Sequence, residues 1–175
     1  VIPINPRHEE ILGLSVYPSL EAVPEAPELA IIATPAETVP TILEQCGQRG
    51  ITAAVIISAG FQEAGPVGQR LKQQLETVAR RYGIRFLGPN CLGVLRPEIG
   101  LNASFTSNSA KPGGLGLISQ SGALCAAVLD WAQTNGVGFS SIVSIGSAVN
   151  VDFGEVLDFL TADDATKSIM LYVEG

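Results

Sequence analysis

The chain has 175 residues, 46% of them hydrophobic and 15% charged, with a formal net charge of −7; that length and composition suit one large domain or two smaller ones with a sizeable core. No Lys/Arg-rich run is present, which argues against a nucleic-acid surface, since backbone phosphates need clustered positive charge. No apolar run reaches the roughly 18 residues of a membrane span, so no membrane partner is expected.

Cys46, Cys91 and Cys125 are odd in number and lack C-x-x-C spacing. Neither a zinc site nor a disulfide framework is expected, and a reducing cytoplasm is. Val1 opens directly in the β-like segment VIPINP, and Glu174-Gly175 follows another strand-like run. The expectation is a piece excised from a longer chain, with no charged-then-apolar leader.

Along the chain, short continuous apolar runs predict strands near 29–33, 53–57, 84–87, 115–118, 141–145 and 168–173, as for strands buried on both faces. Between most of them lie helical stripes. Val39, Ile42, Leu43 and Cys46 form one, and Leu71, Leu75, Val78, Ala79 and Tyr82 another. A third holds Leu124, Val128, Trp131 and Ala132, a fourth Phe153, Val156, Leu157 and Leu160. Gly47, Gly50, Gly83 and Gly136 stand where helices should stop. The order predicts an α/β fold with parallel sheets. Regular alternation fails between Gly93 and Gly114, a polar, Gly- and Pro-containing stretch read as an inter-domain crossing. The expected domains are residues 1–109 and 110–175.

In open parallel sheets, ligands bind beyond the carboxyl ends of the strands. Those ends are Asn5-Pro6-Arg7, Thr34-Pro35-Ala36, Ser58-Ala59-Gly60, Gly88-Pro89-Asn90-Cys91, Ser119-Gln120-Ser121-Gly122, Gly146-Ser147 and Glu174-Gly175. Small and polar residues are ordinary turn chemistry, and they also let a ligand approach free amides. The stretch ISQSGAL has both readings. Ser119 or Ser121 caps the following helix, or the helix start receives an anion.

The motifs LGPNCLG, LNASF, KPGG, ISQSGAL, LDWA, VDFGEVLDFL, IISAGFQE and INPRHEEILG together resemble the NDP-forming acyl-CoA synthetases. These are relatives of the succinyl-CoA synthetase α subunit, and the same region occurs in multidomain protein lysine acetyltransferases. The likeness covers essentially the whole chain in the same motif order. It implies a Rossmann-like CoA-binding domain, incomplete at its N-terminus, followed by the start of a flavodoxin-like ligase domain. It also implies that a Gly-rich loop lies before Val1 and a phosphohistidine segment beyond Gly175. His8 does not match that segment.

On the matching positions, the resemblance implies that Asn5, Pro6 and Arg7 meet the ribose and its phosphate. Thr34, Pro35 and Ala36, with Ser58, Ala59 and Gly60, line pantetheine and pyrophosphate. Asn90 and Cys91 sit where the CoA thiol end arrives. Ser119, Ser121 and Gly122 receive a phosphate, and Glu174 orients the phosphohistidine. The bland alternatives are a solvated Arg7, a buried structural Cys91 and a chain-end Glu174 in solvent. Cys46, Cys125 and Trp131 read as core residues, and Asp163-Asp164 as a solvated cap rather than a metal site.

The implied activity interconverts acyl-CoA, phosphate and NDP with acid, CoA and NTP, through acyl phosphate and phosphohistidine. This piece holds most of the CoA site and does not complete a cycle alone. ATP or ADP and magnesium belong to the parent protein outside this chain. The implied partners are CoA or acyl-CoA and the remaining domains or a β-type subunit, in an oligomer. The alternative is an acetyl-CoA-sensing region of a protein lysine acetyltransferase. A weaker reading is a dinucleotide-binding oxidoreductase, for which no G-x-G-x-x-G is visible.

Overall fold

A computed structural model describes residues 1–174. The expected strand-end pair Glu174-Gly175 is therefore described only as far as Glu174.

The N-terminal segment is extended and tied by one bridge, Ile4 to Tyr17. It leads into a two-stranded hairpin, β1 (Glu10–Ile11) and β2 (Leu14–Ser15). Three parallel strands follow, β3 (Ala30–Ile32), β4 (Ala53–Ile56) and β5 (Arg85–Leu87), in the order β3-β4-β5. The crossovers between them are α1 (Val39–Gln48) and α2 (Gly65–Tyr82). Both carry proline in the first turn, where the missing N–H costs nothing. The helices bury Leu43, Phe61 and Leu75 with Ile32, Ile56 and Phe86 of the sheet.

The second sheet has the order β10-β8-β9-β6-β7. Its strands are β6 (Gly93–Arg96), β7 (Leu101–Ser104), β8 (Lys111–Ser119), β9 (Gly138–Ser144) and β10 (Ser168–Tyr172). β10, β8 and β9 are mutually parallel, whereas β6 runs antiparallel to both β9 and β7. Helix α3 (Gly122–Asn135) packs on the face of Leu117, and α4 (Phe153–Ala162) on the face of Ile118. Successive side chains of one strand point to opposite faces, so the two helices sandwich the sheet.

Three expectations need correction. The stretch from Gly93 to Gly114 is not an irregular crossing. Its first half is the β6–β7 hairpin, and the sheet membership of the chain changes between Leu87 and Gly93, ahead of residue 110. Asn102 and Ser104 disguise an edge strand, which needs no apolar alternation on both faces. Gly47 does not stop α1; a Cβ there would lie 2.3 Å from the Tyr82 ring, so it is the close-approach point of α1 and α2. Trp131 is 57% exposed rather than core. The buried stripe of α3 is Cys125, Leu129 and Ala132, and a helix apolar nearly all round does not reveal its face by composition.

Candidate functional site

Asn5, Pro6 and Arg7, expected at a strand end, follow a segment that joins neither sheet and is held by a single bridge; the other expected site residues sit at the carboxyl ends of both sheets, where helix starts and turns leave the backbone open. Backbone and side-chain contacts link them into one ridge. Ser58 follows β4, and its hydroxyl donates to Thr34 O at 2.6 Å. The Ser58 carbonyl accepts from Asn90 N at 2.9 Å. Asn90 has φ 57, on the turn after β5, a conformation asparagine tolerates better than most residues. Two residues on, Leu92 N donates to Ser144 Oγ of β9 at 3.0 Å. Gly122, at the start of α3, lies against Leu92; a Cβ there would be 3.4 Å from Leu92 Cβ. Gln120 then receives Glu174 N on its Oε1 at 2.8 Å. Thr34, Ser58, Asn90, Gly122 and Glu174 thus follow one another across five strand ends.

At α3, Ser121 is the N-cap, with Oγ accepting from Leu124 N at 3.2 Å. Ser119 is fully buried. Its Oγ donates to Ser121 O and accepts from Ser121 N, at 2.9 and 3.0 Å. The Ser119 hydroxyl, expected at the phosphate, is enclosed and shapes the turn that Ser121 and Gly122 present. Cys91, expected at the thiol end of the cofactor, is enclosed as well. It is 3% exposed, and its Sγ lies 3.3 Å from Ile56 O, to which it donates. Burial pushes its thiol up to about 12, so it stays protonated and is a poor nucleophile. Burial likewise pushes Cys46 and Cys125 up to about 11, as core thiols.

The loop after β4 holds a carboxylate of its own. Glu63 Oε1 accepts from Gly60 N at 2.6 Å. Partial burial works to raise the Glu63 pKa, but the amides of Gly60, Glu63 and Phe61 outweigh it and hold the group below its usual 4.5. The turn from Gly60 to Glu63 is therefore closed by its own exposed carboxylate.

On the other flank, a cleft of about 640 Å³ opens between the N-terminal segment and the free edge of β3. Val1, Ile4, Pro6, Ile31, Thr34 and Cys46 are among its walls, so Pro6 and Thr34 meet at one cavity. Ile31 is 51% exposed there. Asn5 Oδ1 accepts from Arg7 N at 2.9 Å, which turns the chain after Pro6. Arg7 is exposed and forms no ion pair among the described residues. An apolar cleft lined by Pro6, with an arginine next in the chain, fits a ligand with an apolar body and phosphate groups. Pro35 and Ala59 are exposed, Ala36 is buried, and His8 is exposed on the hairpin side.

Asp163 is not a solvated cap. It accepts from Arg96 Nη2 at 2.8 Å and from Thr166 Oγ1 at 3.1 Å, which fixes the end of α4 to β6.

Residues 1–97 match the CoA binding domain family. The chain belongs to it. Residues 112–175 match the succinyl-CoA ligase like flavodoxin domain. The chain is 46% identical, over its full length, to acetate–CoA ligase [ADP-forming] I of Archaeoglobus fulgidus, and spans 26% of that protein. It is 41% identical to the α subunit of acetate–CoA ligase [ADP-forming] I of Pyrococcus furiosus, again over its full length and 39% of the relative. Among solved structures, the dinucleotide forming acetyl-coenzyme A synthetase 1 of Ca. Korarchaeum cryptofilum, in complex with phosphate and ADP, matches with a TM-score of 0.92 and 39% identity. That match covers 99% of this chain and 37% of the other. The expected family, and an α/β fold with a CoA-binding domain ahead of a ligase-like flavodoxin domain, are borne out.

Two contributors escaped the sequence reading as individual residues. Gln120 was visible inside ISQSGAL, but nothing local marks its bond to Glu174, 54 positions away. Glu63 was visible in IISAGFQE, and its signal was a carboxylate three residues after a glycine in a strand-end loop.

Proposed function

We propose that this chain is the CoA-binding portion of an NDP-forming acyl-CoA synthetase. The parent protein interconverts acyl-CoA, phosphate and ADP with the free acid, CoA and ATP, and acetate is the acid in the names of the first relatives. The observation that carries the reading is the single ridge joining Thr34, Ser58 and Asn90 to Ser121, Gly122 and Glu174. A CoA end and a phosphate end must meet for sulfur and phosphate to exchange on one acyl carbon.

In this reading Asn5, Pro6 and Arg7 hold the ribose phosphate, with Arg7 as the cation. Thr34, Pro35, Ala36, Ala59 and Gly60 offer backbone to the pantetheine and pyrophosphate. Asn90 stands at the thiol end. Ser121 and Gly122 present the first amides of α3 to phosphate, because four N–H groups at a helix start lack intrahelical partners. Glu174 flanks that helix start. The cofactor supplies the thiol; the chain supplies position. Nucleotide and magnesium belong to the rest of the parent protein, as do a β-type subunit and an oligomeric assembly. Three free buried thiols suit the reducing cytoplasm. No described helix is long and apolar enough to cross a membrane. The sensor reading in a protein acetyltransferase loses ground, because the relatives reported above are ligases or synthetases by name.

The deciding experiment is calorimetry on the intact parent protein with CoA and with NAD. CoA is expected to bind, and NAD is not. Equal or tighter NAD binding overturns the assignment.

A further inference from the structure

The loop between β9 and α4 crosses from the second sheet to the first. From Gly146 to Asp152 it runs along the outer edge of β5 and the turn that follows. Ser147 N donates to Pro89 O at 3.0 Å, Val149 N to Gly88 O at 3.3 Å, and Val151 N to Phe86 O at 3.2 Å. In the reverse direction Phe86 N donates to the Asn150 side chain, Oδ1 at 2.9 Å. The loop therefore acts as a strap that closes the free edge of the first sheet. Beyond it, Arg85 pairs with Glu155 in the first turn of α4, and an Asp152–Glu155 capping box fixes where that helix begins.

Two features show that the fit is tight. Gly146 has φ 53, and a Cβ there would lie 2.4 Å from Pro89 O and 2.5 Å from Asn90 O. Only glycine passes under the Gly88-Pro89-Asn90 turn at that distance. Asn150 is half-buried, and its Oδ1 takes an amide of an edge strand that no strand pairs. Removing that acceptor leaves a buried donor unmade, which costs more than the bond itself is worth.

We infer that Asn150 is a positioning residue: through the strap it sets the register between the Asn90 turn on the first sheet and the α3 start on the second. The strap amides of Ser147, Val149 and Val151 and the β6–β9 pairing act on the same register, and Asn150 adds the one side-chain acceptor on the amide of β5. Leu92 N on Ser144 Oγ and the contact of Gly122 with Leu92 lie at the far side of the same turn. The strap therefore sets the turn from below while Ser144 sets it from the side. This inference rests on the proposed ligase reading for its consequence, not for its geometry. A thiol end and a phosphate end that meet at one carbon tolerate little misplacement, and an error of about 1 Å can cost about a hundredfold in rate.

The test uses Asn150→Leu, which keeps the γ-branched shape and loses the acceptor, and Asn150→Asp, which keeps an acceptor. Both are made in the intact parent protein. Amide exchange is read first, because it does not depend on any activity. Exchange at Phe86, Asn90 and Leu92 is expected to speed up in Asn150→Leu and to stay near the parent's rate in Asn150→Asp. Activity is read second. Asn150→Leu is expected to lower kcat for CoA-dependent turnover by about tenfold to a hundredfold, with CoA affinity little changed and the melting temperature lowered by only a few degrees, and Asn150→Asp to recover most of both. Unchanged exchange at Asn90 and Leu92 in Asn150→Leu overturns the inference, whatever the protein's activity. So does a loss of CoA affinity equal to the loss of kcat, which marks a contact with CoA rather than register. If the parent protein fails to bind CoA, the ligase reading falls, and the exchange arm still decides whether Asn150 holds the two ends together.

Discussion

Arg7 is the residue on which the nature of the ligand turns. It is exposed and free of ion pairs among the described residues, so its removal should not disturb folding. Arg7→Ala is expected to weaken CoA several-fold more than dephospho-CoA, because a guanidinium fork reads phosphate and dephospho-CoA lacks the ribose phosphate. Titration calorimetry with both ligands checks this, and equal losses mean that Arg7 does not read that phosphate. The cysteines give the opposite expectation, of chemical silence. With folded values of about 11, 12 and 11 against an ordinary 9.0, all three thiols stay protonated in the native chain. Below pH 9 their contribution to stability is fully present. It declines as pH rises from about 9 toward about 12, since the unfolded chain ionises first. A thiol reagent at pH 8 should label none of them in native protein and all three in denaturant. Labelling of Cys91 in the native state would reopen it as a ligand contact. Sequence alone left Cys91 between a binding role and a structural one, because adjacency to Asn90 in a strand-end turn does not say which way the thiol points.

At the scale of the element, α3 separates capping from anion binding. Ser121→Ala removes the Oγ that accepts from Leu124 N, and should cost about 0.5–2 kcal/mol of stability. Gly122 has no left-handed φ, and a Cβ there meets Leu92 at an ordinary 3.4 Å. A Gly122→Val variant is therefore expected to fold while its branched side chain crowds the helix start. Loss of phosphate-dependent turnover in a folded Gly122→Val protein supports the anion site. Unaltered phosphate chemistry leaves ISQSGAL as a cap. Elements of this kind were legible in the chain because their signals are local. The apolar runs of β3, β4, β5 and β8, and the cap at Ser121, each lie within a few residues. The β6–β7 hairpin was not legible, since its pairing with β9 spans about fifty positions and its edge strand carries Asn102 and Ser104. The face of α3 was hidden for a different reason: Leu124, Val128 and Trp131 offered a second apolar stripe as plausible as the buried one.

For the whole molecule, the question is whether two sheets make two folding units. The strap from Gly146 to Asp152 holds the edge of β5, and the β6–β7 hairpin, which follows β5 in the chain, depends on β9 for its inner edge. Each unit therefore lends backbone partners to the other. A fragment of residues 1–109 would keep β6 and β7 but lose β9, leaving a two-stranded ribbon that is marginal by itself. It would also bare the carbonyls of Phe86 on β5 and of Gly88 in the turn that follows. Such open edges invite pairing between molecules. The chain of 175 residues is accordingly expected to melt in one calorimetric transition, with the van't Hoff and calorimetric enthalpies equal. The fragment 1–109 is expected to have a lower Tm or to self-associate on a sizing column. A monomeric 1–109 fragment that melts at the temperature of the whole chain would show that the strap and β9 contribute nothing to the first sheet. The ridge from Thr34 to Glu174 would then be a meeting of two independent parts rather than a property of one folded body.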